Sequence, residues 1–408
     1  MHSFSLFIII AFFASSFQTR ECTPDVEGTS HRITSLQPFA GGDHVRIECT
    51  LPTLDDLSET KVTAEIFDAK NGKLLWEGTL DKPETKNNLT LTKHVTGLEP
   101  KLWSPVSPHL YYLRVQAGDA VKTVRFGFRD FTMKNGQFYL NGNRIFLRGN
   151  AINPPGRGIP GEVEESRQFA QDYVRFLKSI NINMIRIPES QVWADVCDEE
   201  GMMLFGGRYG HPPSETANHP PADYEKSIQA YKEKDFAPFV RHPSMMIYTL
   251  SNEVPYIGER GDQYAQFLSH AYSALKEWDP NRLYICNAGY GLGRSADVYD
   301  VHRYWAWYYN TFLTYMNMRD MTMWQNEGRE QPITFTECVG NYTGVDGRFN
   351  LVSHSKQMAS QKSWTGHIPD NLQSERALEY QSFALKNVTE MFRRFRSQNP
   401  RLISDFDS

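Results

Sequence analysis

The chain has 408 residues, more than one hydrophobic core usually serves, so division into domains is expected. Apolar residues make up 40% and charged residues 22%, which excludes a disordered chain. With 43 basic against 48 acidic residues and a net charge of −5, it lacks the basic footprint of a nucleic-acid or anionic-lipid binder.

Phe4 to Phe13 (FSLFIIIAFF) is an apolar run of ten residues, short of the roughly 20 that span a membrane. Small residues Ala14-Ser15-Ser16 follow, then polar Gln18, Thr19 and Arg20. That order reads as a secretory signal peptide over 1–20. The mature protein is expected to be secreted or periplasmic, with no membrane partner after cleavage. The five cysteines are an odd number and exclude a disulfide-built miniature fold. Cys22 and Cys49 could pair in an oxidising compartment. Cys197, Cys286 and Cys338 lie in apolar contexts and read as buried, inert thiols.

From 24 to 130 the pattern is short alternating strands: 44–49, 61–67, 74–78, 89–94, 111–115 and 121–128. Turn clusters such as Gly41-Gly42-Asp43 and Asn71-Gly72 separate them, which predicts an antiparallel, immunoglobulin-like β-sandwich. The rhythm changes at 131. Asn141-Gly142 between 137–140 and 144–147 predicts a hairpin. Phe169, Tyr173, Phe176, Leu177 and Ile180 then fall on one helical face. Helices are also read at 192–200 and 264–275, and along Ala384, Val388, Met391 and Phe395.

Strands starting near 145, 183, 202, 244, 283, 298 and 332 alternate with these helices, which predicts a parallel sheet. An eighth is expected at Arg401-Leu402-Ile403. Eight such units make a (β/α)8 barrel, here filling 131–408. A doubly wound sheet is the other arrangement of this class, but no Gly-rich phosphate turn follows the first strand. Because the last residues read Ile403-Ser404-Asp405-Phe406-Asp407-Ser408, the eighth strand is expected to be short, which leaves an incomplete barrel there as an alternative to a closed one.

Barrel sites lie at the C-terminal ends of the strands. The fourth strand runs into Ser251-Asn252-Glu253 and the seventh into Thr336-Glu337-Cys338. Two carboxylates at the ends of apolar strands are costly unless they are used. The chemistry that needs such a pair is glycoside hydrolysis, in which one carboxyl donates a proton and the other attacks or activates water.

Leu102-Trp103-Ser104-Pro105 with Pro108-His109-Leu110-Tyr111, Phe126-Gly127-Phe128-Arg129, Leu140-Asn141-Gly142 and Phe146-Leu147-Arg148-Gly149 resemble motifs of glycoside hydrolase family 2, which holds β-galactosidases, β-glucuronidases and β-mannosidases. The same is true of Asp195-Val196-Cys197-Asp198-Glu199-Glu200-Gly201, Arg241-His242-Pro243-Ser244 and Ser251-Asn252-Glu253. The resemblance covers roughly 100 to 403. It implies that Glu253 is the acid/base and Glu337 the nucleophile, and that Arg186 holds Glu337 ionised. It also implies that Asn252 binds a sugar hydroxyl and that Tyr304 approaches the nucleophile. Trp305 and His302 are further candidate sugar contacts. The implied partner is a carbohydrate, with no cofactor. No metal-ligand spacing of His, Cys or Asp is apparent, so no metal is expected.

Two departures leave the sugar open. Ile187-Pro188-Glu189-Ser190 stands where many members have Ser-His-Tyr-Pro, and Asn150-Ala151-Ile152-Asn153-Pro154-Pro155 replaces an Asn-Arg-His-Glu type run. The short final strand also leaves open a catalytically impaired, carbohydrate-binding relative of the family.

Overall fold

The computed structural model describes residues 33–52, 61–83, 89–151, 161–186, 190–207, 221–254, 256–290, 295–302, 331–337, 382, 385–387, 389, 390 and 404–407. The expected signal peptide, Cys22, Cys338 and the residues read as a last helix (Ala384, Val388, Met391, Phe395) lie outside these.

Seven antiparallel strands come first: β1 (Ser35–Ala40), β2 (Val45–Thr50), β3 (Val62–Asp68), β4 (Leu74–Thr79), β5 (Thr90–Val95), β6 (Tyr111–Ala117) and β7 (Ala120–Phe126). They form two sheets, ordered β1-β2-β5 and β4-β3-β6-β7, the immunoglobulin-like sandwich. Alternation sends Val45, Ile47 and Cys49 of β2 and Val62, Ala64 and Ile66 of β3 into one core. Strand β1 has no counterpart among the predicted strands. Pro38 interrupts its pattern and is tolerated because β1 is an edge strand. Cys49 is a free, buried thiol there, which burial pushes up to about 12. Cys197 and Cys286 are also free and buried, and burial drives both well above the ordinary thiol value.

A meander of β8 (Phe131–Lys134), β9 (Gln137–Leu140) and β10 (Asn143–Ile145) follows. Its turns are Asn135-Gly136 (φ 52°, 68°) and Asn141-Gly142 (φ 52°, 77°), the pair of left-handed residues that a two-residue hairpin requires. Residues 143–145 thus belong to the meander, and the first barrel strand starts at Leu147 rather than Ile145. Phe131, Phe138 and Leu140 pack with strand-start residues Leu147, Met184, Met203 and Leu283. The meander therefore plugs the N-terminal end of the barrel and leaves the other end for the site.

The barrel elements are β11 (Leu147–Ala151), α1 (Gly161–Glu164), α2 (Arg167–Ser179), β12 (Met184–Arg186), α3 (Gln191–Glu200), β13 (Met203–Gly207), α4 (Tyr224–Ala230), β14 (Met245–Thr249), α5 (Gly258–Trp278), β15 (Leu283–Ile285), β16 (Tyr299–His302), β17 (Ile333–Glu337) and β18 (Ser404–Asp407). Parallel ladders join β15-β14-β13-β12-β11-β18 and β16-β17. β17 lies against β18, and the backbone N–H of Asp297, just before β16, donates to the Tyr284 carbonyl of β15 at 3.1 Å. These eight strands surround one axis. An eighth strand is described at Ser404–Asp407, paired Leu147↔Ser404 to Asn150↔Asp407; Arg401-Leu402-Ile403, where it was expected to start, lie outside the described residues.

On α2 the buried side chains are Ala170, Val174 and Leu177, whereas Phe176 and Ile180 are exposed. The apolar stripe is rotated from the predicted one because Phe169 and Tyr173 turn toward Trp193 of α3. Ser166 and Ser190 cap α2 and α3, accepting from Phe169 and Trp193 N–H. No described helix is long and apolar enough to cross a membrane.

The motifs shared with the family meet where sandwich and barrel touch. Trp103 Nε1 donates to the Asp198 carbonyl at 2.8 Å. Gly201 ends α3 at φ 74°, and a Cβ there would stand 2.5 Å from the Pro105 carbonyl oxygen. Gly201→Ala is expected to cost about 2 kcal/mol or more, from a left-handed residue and a backbone collision together. A denaturation midpoint equal to wild type would contradict this account of the junction.

Candidate active site

Four strand ends converge at the open mouth of the barrel. Arg186 ends β12 and is buried. One guanidinium nitrogen, Nη1, pairs with Glu337 at the end of β17, and Nη2 donates to Asn252 Oδ1 at 2.6 Å. The guanidinium also lies over the Phe205 ring, 5.7 Å from its centroid. A planar fork suits this double task better than a lysine.

Beyond β14 the chain turns sharply. Glu253 has φ 53°, a conformation that costs a non-glycine residue about 1–3 kcal/mol and persists only where the surroundings impose it. Here its N–H donates to the Ala288 carbonyl at 2.9 Å. Buried Asn287 clamps the next residue from both sides, accepting from Val254 N–H at 3.2 Å and donating to its carbonyl at 2.7 Å. The half-exposed Glu253 carboxylate is thereby aimed at the mouth.

His302, at the end of β16, stands between the two glutamates. Its Nδ1 lies 2.7 Å from Glu253 Oε1 and 3.5 Å from Glu337 Oε2. Its Nε2 faces Thr336 Oγ1 at 3.1 Å and Asp300 Oδ2 at 3.4 Å. Asp300 is fully buried. It accepts from Thr334 Oγ1 (2.5 Å), Thr336 Oγ1 (2.7 Å), Thr336 N–H (3.1 Å) and Gly289 N–H (2.9 Å).

Charge follows from this packing. Burial disfavours a cationic His302, but the hydrogen bonds to Asp300 and Glu253 and the charges of Glu337 and Asp300 raise it to about 9. Burial raises the Glu253 carboxyl, and the hydrogen bond and charge of His302, with the charge of Arg186, more than reverse this. Glu253 therefore lies below the usual glutamate value. Asp300 is likewise held below the ordinary aspartate value, burial being outweighed by His302 and the threonine hydroxyls.

Arg186, Asn252, Glu253, His302 and Glu337 are thus brought into one cluster. Tyr304 and Trp305 lie outside the described residues. The sequence reading missed Asn287, Asp300 and Gly289. Asp300 carried a usable signal: it stands two residues before His302 on a strand and so shares its face.

Two sets of side chains have metal-ligand character among the described residues. Glu253, His302 and Glu337 bring donor atoms within 4.8 Å of one another, as do Asp195, Asp198 and His242. In the first set Arg186 and His302 already engage the carboxylates. In the second, His242 Nδ1 lies 2.6 Å from Asp198, while Arg125 and Arg241 hold Asp195. Asp198 also accepts from Ser244 N–H at 3.1 Å, so the Arg241-His242-Pro243-Ser244 motif anchors the start of β14 rather than the end at the mouth.

The family model described as "Glycosyl hydrolases family 2, TIM barrel domain" matches residues 131–376, and "Glycosyl hydrolases family 2" matches 34–129. This chain belongs to glycosyl hydrolase family 2. Curated relatives include a putative β-glucuronidase of Formosa agariphila, 28% identical over 284 residues, covering 64% of this chain and 32% of that protein. The β-galactosidase BgaC of Bifidobacterium adolescentis is 26% identical over 306 residues, covering 67% and 27%. The chain thus spans about a third or less of the length of these curated relatives. Among solved structures, a Bifidobacterium dentium β-glucuronidase bound to coumarin-3-O-glucuronide aligns with a TM-score of 0.67 at 18% identity, covering 93% of this chain and 60% of that one. One from Dictyoglomus thermophilum aligns at 0.64 and 17%, covering 93% and 62%. Both likenesses are of fold.

Proposed function

We propose that this family 2 chain carries the catalytic core of a retaining glycosidase that cleaves terminal β-glycosidic bonds of a carbohydrate. The observation that carries this reading is the approach of Glu253 and Glu337 oxygens to within 4.8 Å. Retaining enzymes hold their carboxyl groups about 5 Å apart, whereas inverting ones leave room for a water between them.

In this reading Glu337 attacks the anomeric carbon while Glu253 passes a proton to the departing glycosidic oxygen. Glu253 then takes a proton from water, which attacks the same carbon and releases Glu337. Two inversions return the original configuration. Arg186 fixes Glu337 and, through Oδ1, fixes Asn252, whose Nδ2 remains as a donor for a sugar hydroxyl. The pairing of β18 with β11 supports a closed barrel over an open-edged, merely sugar-binding one. The apolar segment at the start of the chain supports an exported enzyme, testable by N-terminal sequencing of the protein recovered outside the producing cell.

A panel of aryl β-glycosides tests the reaction. Glu253→Gln is expected to lower kcat/KM about 10²- to 10⁴-fold on phenyl glycosides and far less on 2,4-dinitrophenyl glycosides, whose leaving group needs no proton. Proton NMR of the first product of wild type should show the β anomer. Equal loss on every leaving group, or the α anomer first, would overturn the proposal.

A further inference from the structure

A general acid must carry a proton, yet Glu253 is held below the usual glutamate value by its partners. The hydrogen-bond partner of Glu253 is an imidazole that is itself seated on a buried aspartate. We propose that Asp300 and His302 form a proton store for Glu253, Asp300 acting as the positioning residue and His302 as the relay that hands its Nδ1 proton to Glu253 when a substrate enters. This rests on the reading of Glu253 as acid/base given above.

The charges facing the His302 ring come from four elements. Asp300 is on its own strand β16, Glu253 follows β14, Glu337 ends β17, and Arg186 reaches from β12 to Glu337. Three carboxylates against one guanidinium leave a deficit of positive charge that a protonated ring reduces. Asp300 is spared protonation by its hydrogen bonds from Thr334, Thr336 and Gly289. A carboxylate accepting several such bonds is a poor base. The ring position depends on a glycine beside it: Gly289 has φ 89°, and a Cβ there would stand 2.8 Å from the imidazole. The direction of each titration agrees, with His302 raised to about 9 and Glu253 lowered.

A sugar seated over the half-exposed Glu253 side chain removes its water. An ion pair loses more from that desolvation than the neutral pair does. The Nδ1–H bond then breaks, its electron pair staying on nitrogen, and an O–H bond forms on Glu253 Oε1. Glu253 gives this proton to the glycosidic oxygen as the C–O bond breaks. In the second half-reaction it takes a proton from water and returns it to Nδ1, so the store is refilled each turnover.

The test uses the full chain with ¹⁵N-labelled histidine, His302 being assigned from His302→Asn. Wild-type His302 is expected to remain imidazolium until about pH 9, and in Asp300→Asn to titrate about one to two pH units lower. The basic limb of kcat/KM on a phenyl glycoside should move down by the same amount. His302→Asn should lose about 10²-fold on that substrate and only a few-fold on the 2,4-dinitrophenyl glycoside. A wild-type His302 that is neutral at pH 7.5 overturns the store, and this measurement decides even if Asp300→Asn fails to fold. An unmoved basic limb in a folded Asp300→Asn overturns it as well. Glu337→Gln is the control: full activity there sinks the glycosidase reading itself, whereas an inactive control together with a His302 titration that Asp300→Asn leaves unmoved sinks only the store.

Discussion

Replacing Glu337 with Gln is expected to lower kcat by about 10⁴-fold or more while leaving the barrel folded. Loss of an attacking group that forms a covalent intermediate removes the reaction path rather than slowing it, and such losses reach several decades. The substitution is isosteric, so Arg186 keeps its bond to Asn252 at 2.6 Å and its longer one to the Thr336 carbonyl at 3.4 Å. The buried guanidinium does lose its anion, so a modest fall in stability should accompany the kinetic loss. A 2-deoxy-2-fluoro glycoside with a good leaving group should add the sugar's mass to a Glu337-containing peptide of wild type and to none of the variant. Turnover within tenfold of wild type, or an adduct on another residue, would reject Glu337 as nucleophile.

The largest effect on stability is expected at Arg129. It is 1% exposed and lies between the end of the sandwich and the base of the barrel. Its nitrogens donate to the carbonyls of Pro243 (3.3 Å), Asn281 (2.6 Å) and Met245 (3.0 Å). Arg129→Met would leave two buried acceptors and one part-buried one without their donor, at about 1–3 kcal/mol for each buried one. Against this, the buried cation also disappears, and burial together with nearby Arg282 already disfavours its charge. The net expectation is a loss of about 3 kcal/mol. Arg129→Lys should lose nearly as much, because an ammonium cannot reproduce the planar fork. Denaturant midpoints of the two variants check this, and kcat/KM well below the transition should stay near wild type because the contacts lie away from the mouth. Full stability in Arg129→Met would show that these carbonyls find other partners.

The same residue illustrates what a sequence pattern conveys. Phe126-Gly127-Phe128-Arg129 resembled a family motif but carried no visible task. In the fold, Phe126 and Phe128 close the sandwich core. Gly127 sits where a Cβ would be 2.7 Å from Pro243, and Arg129 ties the loops together. Likewise α2 was legible as a helix from its 3.6-residue period, but its buried face was misjudged. Period reports that a stripe exists, while the neighbouring α3 decides which rings turn inward.

What the amino-acid sequence determined by itself is local. Alternation and apolar runs marked most strands of the sandwich and barrel, and the strand-end rule located Glu253 and Glu337 because an isolated carboxylate closing an apolar strand needs a reason. The eighth strand was expected to start at Arg401, and its described part, Ser404–Asp407, carries no apolar run of its own and is held by pairing with β11. What only the tertiary structure decided is the electrostatic state of the site. Arg186 meets Glu337 across 151 positions and His302 meets Glu253 across 49. A carboxyl's readiness to hold a proton depends on charges and solvent within a few ångströms of it. Those distances are set by barrel closure, which no local pattern in the chain encodes.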